Sequence, residues 1–253
     1  MRRFFLLFVL LLIPGARAAD PSALWHIVHD RCVPNEVQHG DPAPCALVDL
    51  AGGPAGGPAG GYVVLKDIVG ATQFLLLPTA RIGGIESPEL LAPDAPNYFQ
   101  DAWEARRFTE ARAPAPLSRE DLSLAINSAL GRTQNQLHIH IDCLRQDVRD
   151  ALAQHLAGLG DAWAPFPVPL AGERYIARRV IAPDLRGANP FLLLAASSPA
   201  ARAHMGEYTL VAVGASFAGR PGFVLLADRA EPARGNFASG EELQDHKCAL
   251  AHQ

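Results

Sequence analysis

The chain has no excess of basic residues. Its formal charge is −4, and it moves to −7 when residues 1–18, which carry Arg2, Arg3 and Arg17 and no acid, are left out. Nucleic acid is bound by neutralising phosphates with a basic stripe, so that class of partner is excluded. Any contact with a membrane would not be polybasic either. Long apolar runs are also missing: Phe4 to Ile13 is only half of the ~20 residues that cross a bilayer comfortably. Preceded by Arg2 and Arg3 and followed by Pro14-Gly15 and Ala16-Arg17-Ala18, it reads as an export signal cut before Ala19, the alternative being retention as an N-terminal anchor. Both place residues 19–253 outside the cytoplasm.

Cysteine is scarce, with four in the chain. In an exported protein these are expected to pair, and of three possible connectivities the expected one is Cys32–Cys45 with Cys143–Cys248. Loop closure by the short and the long bridge would contribute about 3 and about 4 to 5 kcal/mol. A serine nucleophile lacks its elbow, because Gly214-Ala215-Ser216-Phe217-Ala218-Gly219 is one residue too long for Gly-x-Ser-x-Gly.

What is present suffices for a full core, at 253 residues and 49% hydrophobic. A short helix is expected over Pro21 to Asp30, then a cysteine-closed loop containing Pro34, Pro42 and Pro44, then a flexible Gly/Pro stretch over 51–61. Tyr62–Asp67 and Gln73–Pro78 read as a hairpin, Pro96–Arg112 as a helix, Leu122–Asn127 and Leu137–Ile141 as strands, and Asp147–Ala157 as a helix. Farther on, Tyr175–Ile181, Phe191–Ala195, Tyr208–Gly214 and Gly222–Ala227 are strand-like, and Pro199–Met205 is a helical turn or two. The order predicts an α+β protein, a meander around an antiparallel sheet with flanking helices.

Chemistry concentrates on Leu137-His138-Ile139-His140-Ile141. A strand of period two sends Leu137, Ile139 and Ile141 to the core and both imidazoles to the other face, as in a half-buried strand. The segment Asn127 to Gln136 before it is rich in hydrogen-bonding side chains and suits an oxyanion. Four readings follow. The imidazoles are a solvated strand face; or His138, His140 and Asp142 hold a metal, since the run resembles the His-x-His-x-Asp-His of metallo-β-lactamase-like hydrolases, although Cys143 stands where the next histidine would be. A serine hydrolase fails on spacing. Finally, a neutral imidazole is nucleophilic near pH 7 without further activation, and a phosphohistidine is labile enough for water to remove.

Gly131-Arg132-Thr133-Gln134-Asn135-Gln136-Leu137-His138-Ile139-His140 resembles the signature of the histidine triad superfamily, with His138 at the position of the nucleophile and His140 at that of the last histidine. Arg132 replaces the usual glutamine and Gln136 the first histidine. The likeness narrows to the exported bacterial CDP-diacylglycerol pyrophosphatases through Cys32-Val-Pro34, Pro42-Ala-Pro-Cys45, Gly61 to Asp67, Glu86-Ser-Pro88, Ser123 to Ser128, Gly131 to Asn135, Ala177-Arg-Arg-Val180, His204-Met-Gly206 and Gln244-Asp-His246.

That resemblance implies a histidine triad-like core over about 60–165 with a C-terminal α+β extension over about 166–253. It also implies hydrolysis of CDP-diacylglycerol to CMP and phosphatidate at the periplasmic face of the inner membrane. No cofactor or metal is implied, the membrane is the source of substrate, and no motif speaks to oligomeric state. His138 and His140 are expected to be catalytic. Asn127, Arg132, Thr133, Gln134, Gln136, Lys66, Arg178 and Arg179 are expected around the substrate, while His204 and His246 read as structural or solvated. A metal-dependent phosphoesterase and a non-catalytic exported nucleotide- or lipid-binding protein are the alternatives.

Overall fold

The computed structural model describes residues 20–51, 57 and 60–252. The segment expected to be an export signal lies outside them, as do residues 52–56, 58 and 59 of the Gly/Pro stretch. The described residues form an α+β structure on one nine-stranded antiparallel sheet. Its strands are β1 (Leu47–Asp49), β2 (Tyr62–Lys66), β3 (Phe74–Pro78), β4 (Leu122–Ile126), β5 (Ile139–Cys143), β6 (Ala164–Pro165), β7 (Ile176–Val180), β8 (Tyr208–Phe217) and β9 (Arg220–Arg229). Their spatial order is β1-β2-β3-β5-β4-β8-β9-β7-β6. The histidine strand is therefore interior, between β3 and β4, with His140 opposite Leu75 on one side and Ala125 on the other. This departs from a sequential meander: β5 inserts between β3 and β4, and the β4–β8 ladder carries the sheet without a break into the C-terminal residues.

Helices cover the face to which β5 sends its aliphatic side chains. Among them are α3 (Tyr98–Ala105) and α4 (Arg107–Arg112), which split the single helix expected over Pro96–Arg112. Leu137, Ile139 and Ile141 share one core with Phe99 and Trp103; burying each such aliphatic side chain favours folding by about 1.5 to 3 kcal/mol.

Three expectations are corrected. An α–π–α run covers Ala23–Ile27 (α1), Val28–Cys32 and Val33–His39 (α2), extending the short helix into the cysteine-closed segment. Pro34 falls in the first turn of α2, directly after the π segment, and Gly40 ends the run at φ +64°. Phe191–Ala195 is not a strand but helix α6 (Pro190–Ala195), because Asn189 accepts a hydrogen bond from the Phe191 amide and Pro190 sits at the first helical position. An apolar run of that length has no periodicity to separate the two outcomes. Finally, β5 is buried on both faces rather than half-solvated.

The remaining helices α5 (Gln146–His155) and α7 (Pro199–Ala203) lie where helical patterns were expected. The β8–β9 hairpin turns at Ala218-Gly219, both at positive φ, as the twist of a two-residue connection requires. Ser216, the serine of the failed elbow, lies in this hairpin and donates to Glu120. Both expected disulfides are present, Cys32–Cys45 and Cys143–Cys248.

Candidate active site

Period two sends His138, His140 and Asp142 to the face of β5 opposite the α3 core, and all three are buried. Two pieces cover that face. One is the α1–α2 run; the other is a C-terminal strap over 240–248, anchored to the end of β5 by the Cys143–Cys248 bridge. Gln244 fastens the strap by donating to the Ser123 and His140 carbonyl oxygens at 3.1 and 3.2 Å. Gly240 lets it come this close: a Cβ there would collide with Thr209 Oγ1 and Val211.

Between these covers a cavity of about 440 Å³ opens onto both imidazoles, a size suited to a small organic ligand. Leu24, Ile27, Leu65 and Leu75 supply apolar wall, and Arg31 and Lys66 supply positive charge. Lys66 Nζ donates to the carbonyl oxygens of Asp67 and Gly70 at 2.7 and 2.9 Å.

His138 stands immediately before β5, and its Nδ1 lies 2.7 Å from the main-chain oxygen of Gln136. A carbonyl only accepts, so Nδ1 carries the ring proton and the lone pair is on Nε2, which has no hydrogen bond among the described residues and belongs to a ring lining the cavity. Burial holds the His138 pKa below its ordinary value and keeps the ring neutral.

His140 packs edge-on to His138, with ring centroids 4.9 Å apart. Gln73 Nε2 donates to His140 Nδ1 at 2.7 Å and to Glu241 Oε1 at 3.2 Å. The carboxylate fixes which end of the Gln73 amide faces the histidine, so His140 Nδ1 accepts and its proton sits on Nε2. That Nε2 is buried and has no partner among the described residues. Burial, then the neighbouring His138 and His246, push the His140 pKa well down. The two rings, both lining the cavity, thus carry one lone pair and one N–H donor on adjacent imidazoles.

Asp142 does not reach the cavity. It is fully buried, accepting from Thr72 Oγ1 at 2.7 Å and facing His246 Nδ1 at 2.9 Å. The Asp142 hydrogen bond raises the His246 pKa, and His246 Nε2 stands 3.5 Å from Glu241. With both oxygens so engaged, Asp142 is poorly placed as a third ligand beside the two imidazoles. Among the described residues no group of three or more His, Cys, Asp or Glu side chains is arranged to hold a metal ion.

Of the residues expected around a substrate, Asn127, Thr133, Gln134 and Lys66 line the cavity with the histidines. Asn127 bonds to Glu241 through both ends of its amide, donating to Oε2 and accepting from the main-chain N–H at 3.2 Å each. Gln134 accepts from the Leu24 amide and so ties α1 to the site. The other four are elsewhere. Arg132 is locked in a two-pronged pair with Glu86, at 2.7 and 2.5 Å, under Gly84, where a Cβ would strike its guanidinium. The Gln136 amide donates to the Pro78 and Ala80 carbonyl oxygens, so its contribution to His138 is its main-chain oxygen, which any residue would supply. Arg178 and Arg179 are on β7, four strands from β5 or about 19 Å; Arg179 pairs with Asp161 and Arg178 lies over Trp163.

The loop before β5 also differs from an open oxyanion cradle. Ser128 Oγ accepts from the amides of Leu130 and Gly131, which are thereby occupied. Gln73, Glu241 and Arg31 were not legible as site residues. Gln73 opens an apolar strand, and the other two are single charges about 100 residues or more from the histidines.

Comparison with known proteins follows the same line. The family model described as CDP-diacylglycerol pyrophosphatase matches residues 19–252. A curated CDP-diacylglycerol pyrophosphatase of Yersinia pestis is 46% identical over 255 aligned positions, covering 98% of this chain and 95% of the relative.

Proposed function

Because the chain belongs to the CDP-diacylglycerol pyrophosphatase family and is a hydrolase of a diphosphate bond, we propose that it cleaves CDP-diacylglycerol by using His138 as a covalent nucleophile. The observation that carries this reading is the tautomer of His138. The Gln136 carbonyl accepts a hydrogen bond from Nδ1–H, which keeps the proton on Nδ1 and the lone pair on Nε2. Nε2 attacks the CMP phosphorus in line, forming a P–N bond as the P–O bond to phosphatidate breaks. Phosphatidate departs as a phosphomonoester anion and needs little help from an acid. The ring becomes an imidazolium whose charge the Gln136 oxygen stabilises. Water then attacks the same phosphorus, releases CMP and returns the lone pair to Nε2.

His140 Nε2–H is the donor for the phosphoryl oxygen on which charge develops, and Arg31 and Lys66 add positive charge at the cavity wall. No metal takes part in this scheme. β5 with its neighbours is read as a histidine triad-like core over about 60–165, and 166–253 as an extension that contributes the strap. Two disulfides suit an oxidising compartment, in keeping with export to the periplasmic side of the inner membrane. Among the described residues no helix is long and apolar enough to cross a membrane. The substrate nonetheless stays in the bilayer, since removing each acyl methylene costs about 0.8 kcal/mol.

The direct test is brief incubation with CDP-diacylglycerol in EDTA, followed by an alkaline quench. CMP should form without added metal, and a nucleotidyl adduct that is stable to base and labile to acid should map to His138. An adduct mapping elsewhere, or loss of turnover on chelation, would end the proposal.

The pH dependence follows from the same geometry. The reactive form is the neutral ring, and burial lowers the His138 pKa from 6.5. A lowered pKa keeps the ring unprotonated farther into acid, so kcat/KM should stay level from neutral pH down through 6.5 and fall only below it. An acid limb centred above 6.5 in a pH–rate profile would contradict a buried His138 nucleophile.

A further inference from the structure

The mouth of the histidine cavity is bordered by apolar side chains that no core explains. Among the described residues the large hydrophobic side chains left exposed are Val37, Ile68, Val69, Leu130, Leu192 and Phe237; Ile68 and Val69 line this one opening, and Leu130 and Phe237 adjoin Gly131, which also lines it. Ile68, fully exposed, and Val69 form the tip between β2 and β3 and line the mouth. Leu130 precedes Gly131, whose backbone lines the cavity. Phe237 lies against that glycine: a Cβ on Gly131 would stand 2.9 Å from the Phe237 carbonyl oxygen, which accepts from Ser128 Oγ at 2.6 Å.

The tip is built to hold its apolar residues outward. Lys66 ties the two ends of the loop through the Asp67 and Gly70 carbonyls, and the Val69 amide donates to Asp67 Oδ1 at 3.0 Å. Gly70, at φ +67°, packs against the His246 backbone, where a side chain would clash. Clustered exposed hydrophobics on a rigid frame mark an interaction surface.

A second observation points to the occupant. The described chain begins at Asp20, whose carbonyl accepts from Gln134 Nε2 at 3.0 Å, and the Asn135 amide donates to Pro21 O at 2.7 Å. Gln134 and Leu24 both line the cavity. The described residues therefore begin beside this same opening, and the apolar run Phe4 to Ile13 precedes them in the sequence.

We propose that the rim formed by Ile68, Val69, Leu130 and Phe237 is a membrane-docking face that enters the acyl region of a lipid surface and sets the cavity mouth over the headgroups. The inference rests on the reading of the substrate as CDP-diacylglycerol, whose acyl chains remain in the bilayer while the diphosphate is drawn to His138. Since residues 19–253 are acidic as a set, the attachment is apolar rather than ionic and should persist in salt.

Two measurements on the full-length chain test it. Ile68→Cys and Leu130→Cys, each carrying an environment-sensitive dye, should blue-shift when phosphatidylcholine vesicles are added, and should still do so in about 0.5 M NaCl, where exposed charges are screened. Dye at Arg220→Cys, on the β8–β9 turn, should not shift. No shift at 68 and 130, or an equal shift at 220, overturns the docking face.

In the second, Leu130→Asp with Phe237→Asp should lower turnover of long-chain CDP-diacylglycerol in vesicles about ten-fold or more. Turnover of a dispersed short-chain CDP-diacylglycerol should stay within about two-fold, because these side chains meet lipid and not the diphosphate. Equal rates on vesicles, or an equal fall on both substrates, also overturn it. The dye shift without turnover of either substrate by the unmodified chain would sink the catalytic reading and leave the docking face standing. Turnover of both without a dye shift would sink the docking face alone.

Discussion

Replacing His138 with alanine is expected to lower turnover of CDP-diacylglycerol by about 10⁴-fold or more, because the P–N bond that divides the reaction into two steps can no longer form. The variant should remain folded. Its side chain gives up one hydrogen bond, to the Gln136 carbonyl, which is worth about 1 kcal/mol. The circular dichroism spectrum should be unchanged, and the melting temperature should move by only a few degrees. The acid-labile adduct should disappear with the rate. Retention of most of the activity in a folded His138→Ala protein would show that another group attacks phosphorus, and the tautomer argument would lose its chemical consequence.

The second large effect is on stability. Cys143 and Cys248 are 105 residues apart, and closing a loop of that length restricts the unfolded chain by about 4.7 kcal/mol. For a protein of this size each kcal/mol is worth about 2 to 4 °C, so Cys143→Ala with Cys248→Ala should melt about 9 to 19 °C lower. The bridge also fixes the strap that brings Glu241 and His246 against His140 and Asp142. Activity should therefore decline well below the new melting temperature, as the Gln73 amide loses the carboxylate that orients it. Calorimetry of the double variant decides the matter. A drop of less than about 3 °C would mean that the strap holds through Gln244 and its apolar contacts alone.

The two halves of the site were unequally legible. His138 and His140 announce themselves because a period of two is local: alternate side chains share a face whatever the partner strands do. The cores behind Ile139 and Ile141, the β2–β3 hairpin and the α+β character were readable on the same ground. Arg132, Arg178 and Arg179 show the limit of such reading. Each is a cation in a suggestive stretch of sequence, yet Arg132 is held by Glu86 and the other two are four strands away. Phe191–Ala195 shows the same limit for secondary structure, since its outcome turned on a cap and a proline rather than on the apolar run.

By itself, then, the sequence determined which face of one strand carries imidazoles, how its four cysteines were expected to pair, and the family to which its motifs belong. Only the tertiary structure decided that β5 lies between β3 and β4, that a strap from residues 240–248 delivers Glu241 and His246 to it, and that Gln73 assigns the proton of His140. The physical reason is range. Side-chain alternation is set by bonds between neighbouring residues, whereas a tautomer is set by whichever donor or acceptor the fold brings within hydrogen-bond reach, here Gln73 at 2.7 Å, 67 residues from His140 and itself oriented by Glu241 at 3.2 Å.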